Sequence, residues 1–270
     1  MRASSLRRTI ACLLVLGGAS ISAGQPAADA SVSETVVTLD TRPGVTQSFA
    51  LLKPANPVAA AILFPGGGGN VDLANLPKDN RGNFLVRTRH RLARHGIMAA
   101  VVDAPSDHAT AEGLPLGFRT SAEHAVDMAA VANHLAGIAR VPVWLVGTSR
   151  GTESAASVAI RLQDPIAGLV LTSTVTEANP KMSSVLDMAL DQLKMPVLIA
   201  AHRQDQCKVT PARGAESLKS KLKNAARVQV LYFEGGTAAK GGPCEGMSPH
   251  GFYGLEAEVG EAIAKFIKDN

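Results

Sequence analysis

Residues 141–160 read VPVWLVGTSRGTESAASVAI. The first third is a nearly unbroken apolar run, the composition of a strand buried on both faces. The last part, rich in alanine, has helical spacing. Between them stands Gly147-Thr148-Ser149-Arg150-Gly151, a G-x-S-x-G pentapeptide. In a chain with 25 glycines the bare string is a weak signal. A strand before it and a helix after it make it specific, because a sharp turn there strains the serine backbone and projects its hydroxyl from the sheet. Gly147 and Gly151 leave room for neighbouring backbone to pass close by. The following helix aims its first N–H groups at the same point, where they favour developing negative charge. Ser149 is therefore the candidate nucleophile.

Outward from this turn, short apolar runs alternate with helical patterns. SETVVTLD (33–40) and TQSFALLKP (46–54) predict two strands around the turn TRPG, an antiparallel hairpin. Further strands are expected at 58–64, 97–105, 141–149, 166–174, 195–202 and 226–236. Helices are expected at 82–95, 121–139, 150–162, 212–223 and 255–268, the second capped by Thr120 or Ser121. This alternation gives an α/β fold class: a mainly parallel open sheet with helices on both faces. A closed barrel is the competing architecture, and the opening hairpin suits the edge of an open sheet better. Ligands of such sheets meet the chain beyond the carboxyl ends of the strands. Only about 20 residues separate strands 166–174 and 195–202, enough for one helix and not for a lid domain.

The pentapeptide in this setting resembles the α/β-hydrolase superfamily, over most of the chain from the hairpin at 33–54 to the last helix. Small lid-free serine hydrolases of the dienelactone-hydrolase-like or acyl-esterase kind look closest. Dienelactone hydrolases proper use cysteine at the nucleophile position. Ser149 departs from that, so their activity is not carried over. The resemblance implies the order serine, acid, histidine along the chain, and two backbone donors for an oxyanion.

A serine hydroxyl needs a base, and histidine suits the task because its ordinary pKa lies near working pH. Of the seven histidines, His90, His95, His124 and His134 fall on or near expected helices and read as solvated. His108 follows a strand in a loop. His202 reads as a structural group near Asp205. His250, in MSPHGFYG after the last strand, stands where the superfamily order requires the base. Asp205, in AAHRQDQCKVTP, is the candidate acid that would orient His250, with Glu234 as its rival. Gly66–Gly69 follow the strand 58–64, and glycine backbone can approach a substrate and offer N–H groups. The resemblance implies oxyanion donors at Gly66 or Gly67 and at Arg150. Pro65 stands where that loop often has histidine. A phosphate-binding loop is the alternative, but no Gly-Lys-Ser/Thr follows. The loop 106–119, with Met182, Leu186 and Met188, is expected to line the acyl or alcohol pocket.

The chain has 270 residues, 46% hydrophobic and 19% charged, which excludes a disordered chain and suits one large domain. Residues 1–23 read as a secretory signal peptide: Arg2, Arg7 and Arg8, then the apolar TIACLLVL, then small residues. Cleavage after Ala23 or Gly24 would leave 24–270 as a single domain. Formal net charge is +4, and the three arginines of the leader account for all but +1 of it. With aromatics at 4%, that charge supports no nucleic-acid partner. After the leader no apolar run approaches the ~20 residues that span a bilayer. Export, to the periplasm or beyond the cell, places Cys207 and Cys244 in an oxidising compartment, where an even count favours a disulfide.

These readings converge on an exported serine hydrolase. It would cleave carboxylic esters of small or medium size through an acyl-enzyme, with no metal or organic cofactor and a small-molecule ester as partner. A peptidase or amidase of the same fold is the second reading. A catalytically silent hydrolase-like binding protein is the third, and its hallmark would be a broken triad.

Overall fold

The computed structural model describes residues 32–76, 82–180 and 182–270, and the leader expected at 1–23 lies outside them. The strands are β1 (Ser33–Arg42), β2 (Val45–Lys53), β3 (Ala59–Phe64), β4 (Ile97–Val102), β5 (Val143–Thr148), β6 (Ile166–Thr172), β7 (Val197–His202) and β8 (Val228–Phe233). The helices are α1 (Phe84–Arg94), α2 (Ala122–Ala139), α3 (Gly151–Leu162), α4 (Gly214–Lys221) and α5 (Glu256–Lys268). The strands form one sheet in the order β1-β2-β4-β3-β5-β6-β7-β8. β1 and β2 pair antiparallel, β2 joins β4 antiparallel, and every pair from β4 to β8 is parallel. The expected open sheet with an antiparallel edge is therefore the observed one, and no barrel closes.

Strands β3, β4, β5 and β7 are buried at every residue, which is why they read as unbroken apolar runs rather than alternating ones. Successive residues still serve opposite faces. Ala60, Ile62 and Phe64 pack with Met128, Val131 and Leu135 of α2 and Val158 of α3. Ala61 and Leu63 pack with Leu85 and Leu92 of α1 and Ile263 and Phe266 of α5. Each such buried valine, leucine, isoleucine, phenylalanine or methionine side chain contributes about 1.5–3 kcal/mol relative to exposure, and the alanines less. Trp144 lies edge-on to Phe266 at 5.8 Å between ring centroids, and its ring occupies the space above Gly168, where a Cβ would sit 2.1 Å from it. Any other residue at 168 would displace the indole. The hairpin is tied to α2 by Arg42, whose Nε and Nη2 each donate to a carboxylate oxygen of buried Asp127 at 2.9 Å.

One segment that had room for a helix forms none, and one expectation needs correction. The segment between β6 and β7 forms no α-helix among the described residues. It makes two 3₁₀ turns, Val185–Asp187 and Leu190–Gln192. Ser184 caps the first by accepting from the Leu186 N–H, the Val185 N–H is taken by the Val175 carbonyl, and Met188 then leaves in an extended conformation. A helix cannot propagate through residues held that way.

His124 is not solvated. It is 3% exposed, between the rings of Phe64 and Phe118. Burial, reinforced by the charges of Arg119 and Arg42, lowers its pKa from 6.5 to about 3. The imidazole thus stays neutral in the folded protein while the unfolded chain titrates near 6.5. Between those values the unfolded state binds more protons. Stability is full above pH 6.5 and is lost as pH falls, by up to about 1.4 kcal/mol per pH unit. Urea unfolding from pH 7 to pH 4 is expected to show a flatter dependence for His124→Leu than for wild type. Equal slopes would contradict this assignment.

Candidate active site

Ser149 immediately follows β5 and has φ +52°, in the left-handed region that side-chain-bearing residues avoid. The strain is held from both sides. The Ser149 N–H donates to the Thr172 carbonyl at 3.0 Å, and its carbonyl accepts from the Thr152 N–H at 2.9 Å. Helix α3 starts two residues later, so the positive end of its dipole lies at the turn. The flanking glycines are required by contact. A Cβ at Gly151 would lie 2.0 Å from the Phe64 carbonyl oxygen, and one at Gly147 would lie 2.6 Å from the Gly151 carbonyl oxygen.

Asp205 follows β7, and His250 lies in a 3₁₀ turn, Pro249–Gly251, after β8. The His250 Nδ1 is 3.0 Å from the Asp205 Oδ2, and both side chains are almost fully buried. The other carboxylate oxygen of Asp205 accepts from the Cys207 N–H at 2.8 Å. Thr210 completes the group. Its hydroxyl donates to Asp205 Oδ2 at 2.9 Å and stands 3.0 Å from His250 Nδ1. These partners assign the proton to Nδ1 and leave Nε2 free to accept another. The His250 carbonyl is itself fixed by the Ser173 hydroxyl at 2.6 Å. Cys207 and Cys244 form a disulfide, which joins the loop carrying Asp205 to the loop carrying His250.

The glycine loop after β3 lies against Ser149: a Cβ at Gly66 would be 2.9 Å from the Ser149 Cβ. No described residue accepts from the N–H of Gly67 or of Arg150. Ser149, His250, Gly66, Gly67, Asn83 and Phe84 share the walls of one cavity of about 410 Å³. A larger groove, about 830 Å³, lies at the opposite end of β6 around Gln163, Ile166 and Asp191. No serine, cysteine or histidine lines it.

Other expectations fare differently. Glu234, the rival acid, is exposed and sits 3.9 Å from Arg203, not at His250. His108 packs on Phe118 at 4.2 Å, away from the site. The His202 Nδ1 accepts from the Gln204 N–H while the ring packs on Phe252, a structural arrangement. The loop 106–119 and Met182, Leu186 and Met188 do not line the cavity that holds Ser149. The loop instead packs on the outside of the glycine turn, and Met188 lines a separate groove near Arg161. Thr210 was not singled out from sequence. Its signal was its position in the same short loop as Asp205, five residues on. Among the described residues no group of three or more His, Cys, Asp or Glu side chains could hold a metal ion.

The sheet order, the strained serine after β5 and the site at the carboxyl ends of β3, β5, β7 and β8 make one pattern. Solved structures share the fold. The chain has the α/β-hydrolase fold. A cold-adapted esterase from an Arctic intertidal metagenomic library is similar to it at TM-score 0.60 and 16% identity, over 90% of this chain and 97% of that one. Est1E from Butyrivibrio proteoclasticus is similar at TM-score 0.60 and 16% identity, over 87% and 98%. XC6422 from Xanthomonas campestris, an α/β serine hydrolase without a lid, is similar at TM-score 0.56 and 14% identity, over 87% and 94%. No protein-family model and no curated protein matches the chain. At these identities the likeness concerns the α/β-hydrolase fold. No lid domain interrupts it between β6 and β7 among the described residues, and no helix among them is long and apolar enough to cross a membrane.

Proposed function

We propose that this chain is an exported serine hydrolase acting on carboxylic esters of small or medium size. One observation carries the reading. The His250 ring, hydrogen-bonded through Nδ1 to buried Asp205, shares a cavity with Ser149, whose backbone is held in a strained turn. Nε2 of His250 takes the Ser149 proton as Oγ attacks the ester carbonyl. Asp205 holds the tautomer and stabilises the imidazolium. The N–H groups of Arg150 and of Gly67 or Gly66 receive the oxyanion, each such donor being worth about 2.7–4 kcal/mol in the transition state. The imidazolium returns its proton to the leaving alcohol. Water, activated by the same imidazole, then releases the acid and restores Ser149. The solved esterases of like fold support ester over amide chemistry at this site.

The test is a panel of p-nitrophenyl esters of graded chain length set beside aminoacyl anilides. Turnover is expected for the short esters and not for the anilides. Anilide turnover equal to that of the esters would overturn the ester assignment in favour of a peptidase.

The export reading rests on the apolar leader and draws support from the disulfide. The bond closes a loop of 37 positions. Its loss is expected to cost roughly 2–4 kcal/mol of stability. It should also lower kcat, because the segments carrying Asp205 and His250 become free to separate. Melting temperature and kcat of Cys207→Ser/Cys244→Ser would check both effects. An unchanged kcat in the folded variant would show that the bond has no part in holding the pair.

A further inference from the structure

The glycine turn Gly66–Gly69 is held mainly from outside. Within it, the Gly69 N–H donates to the Gly66 carbonyl at 3.2 Å. From outside, the Leu114 N–H donates to the Gly68 carbonyl at 2.8 Å. Nη2 of Arg119 donates to the Gly67 carbonyl at 3.1 Å, and Nη1 of the same side chain donates to the Ser154 Oγ on α3 at 3.1 Å. Arg119 is 3% exposed. The fit is close: a Cβ at Gly69 would lie 2.7 Å from Nη2. One buried guanidinium therefore ties the glycine turn to the helix that begins at the nucleophile.

We propose that Arg119 is a positioning residue for the oxyanion site, fixing through the Gly67 carbonyl the peptide planes that present backbone N–H groups to the substrate. This rests on the serine-hydrolase reading above. A run of glycines has no side chains to set its own dihedrals, so its peptides turn unless something anchors them. The peptide unit is planar and trans, so anchoring the Gly67 carbonyl fixes the Gly68 N–H in the opposite direction and limits rotation at Gly67 itself. Donors that need no reorganisation stabilise an oxyanion far better than donors that must first be aligned.

The charge acts in the same sense. Burial and the nearby Arg150 lower the Arg119 pKa to about 10, opposed by Glu153, so the guanidinium remains a cation at neutral pH. A cation behind the turn, in a dry region of low dielectric, favours negative charge on the substrate side. Lysine can restore that charge and one donor but not the two-pronged bridge to Gly67 and Ser154.

The experiment compares wild type, Arg119→Met, Arg119→Lys and Ser149→Ala on p-nitrophenyl acetate, with a boronic acid as inhibitor. The boronic acid adds to the serine as a tetrahedral anion and so reports on the oxyanion site. For Arg119→Met, kcat is expected to fall roughly 10- to 100-fold with KM within about threefold, and the boronic acid Ki to rise by a similar factor. Arg119→Lys should recover part of both. If Arg119→Met does not fold, Arg119→Lys and Ser154→Ala carry the test, each with a smaller loss of kcat at unchanged KM. Folded variants with wild-type kcat and wild-type boronic acid affinity would overturn the proposal, as would a loss of kcat that only tracks the loss of folded protein. An active, Ser149-dependent wild type alongside an equally active Arg119→Met fails this inference alone. A wild type that hydrolyses no ester fails the reading beneath it, and the inference with it.

Discussion

Ser149→Ala is expected to lower kcat for p-nitrophenyl acetate by roughly 10⁴-fold or more, with KM little changed. The expectation follows from how the turn is built. On the proposed mechanism, removing Oγ takes away the attacking atom and leaves the proposed oxyanion backbone in place. The strained φ of +52° at Ser149 is tolerated because the flanking glycines and the hydrogen bonds to Thr172 and Thr152 over-determine the turn. Alanine meets the same strain, so the variant should keep its melting temperature. Loss of activity with an unchanged melting temperature separates chemistry from folding. A folded Ser149→Ala that retained ester turnover would show that another group, or none, performs the attack.

Asp205→Asn comes next in size, with kcat expected to fall on the order of 10⁴-fold. The carboxylate accepts from Thr210, from the Cys207 N–H and from His250 Nδ1. An amide of the same shape can donate where the carboxylate could only accept. It would then turn an N–H toward His250, favour the tautomer with the proton on Nε2, and remove the free nitrogen the mechanism needs. The negative charge that stabilises the imidazolium is lost as well. Glu234→Gln, at the exposed rival position, is expected to leave kcat unchanged. Measured together, the two substitutions decide which acid serves His250, and the reverse pattern would reject Asp205.

Much of the fold was legible because its signals are local. The buried strands appear as apolar runs, and the glycines of G-x-S-x-G have no substitute at their contacts. The spacing between β6 and β7 is too short for a lid. The pairing of Asp205 with His250 was legible through the superfamily order and through the even cysteine count, since a Cys207–Cys244 bond, two residues from Asp205 and six from His250, brings the two loops together. The spacing between β6 and β7 left room for a helix, and none forms there among the described residues because a side-chain cap and a backbone contact fix that segment from outside. His124 was misplaced for a different reason. It falls in the same stripe as Met128, Val131 and Leu135 of α2, and that spacing places it inward. Arg119 had no sequence signal, because its partners Gly67 and Ser154 are distant in the chain, and Thr210 had only its place in the Asp205 loop.

The most direct test is covalent labelling with a fluorophosphonate, with the adduct located by peptide mass spectrometry. The expected result is one adduct on Ser149 in folded protein, none in Ser149→Ala, and markedly slower labelling in His250→Ala. No adduct, or an adduct on another residue at the wild-type rate, would contradict the convergence of Ser149, His250 and Asp205 on one reaction.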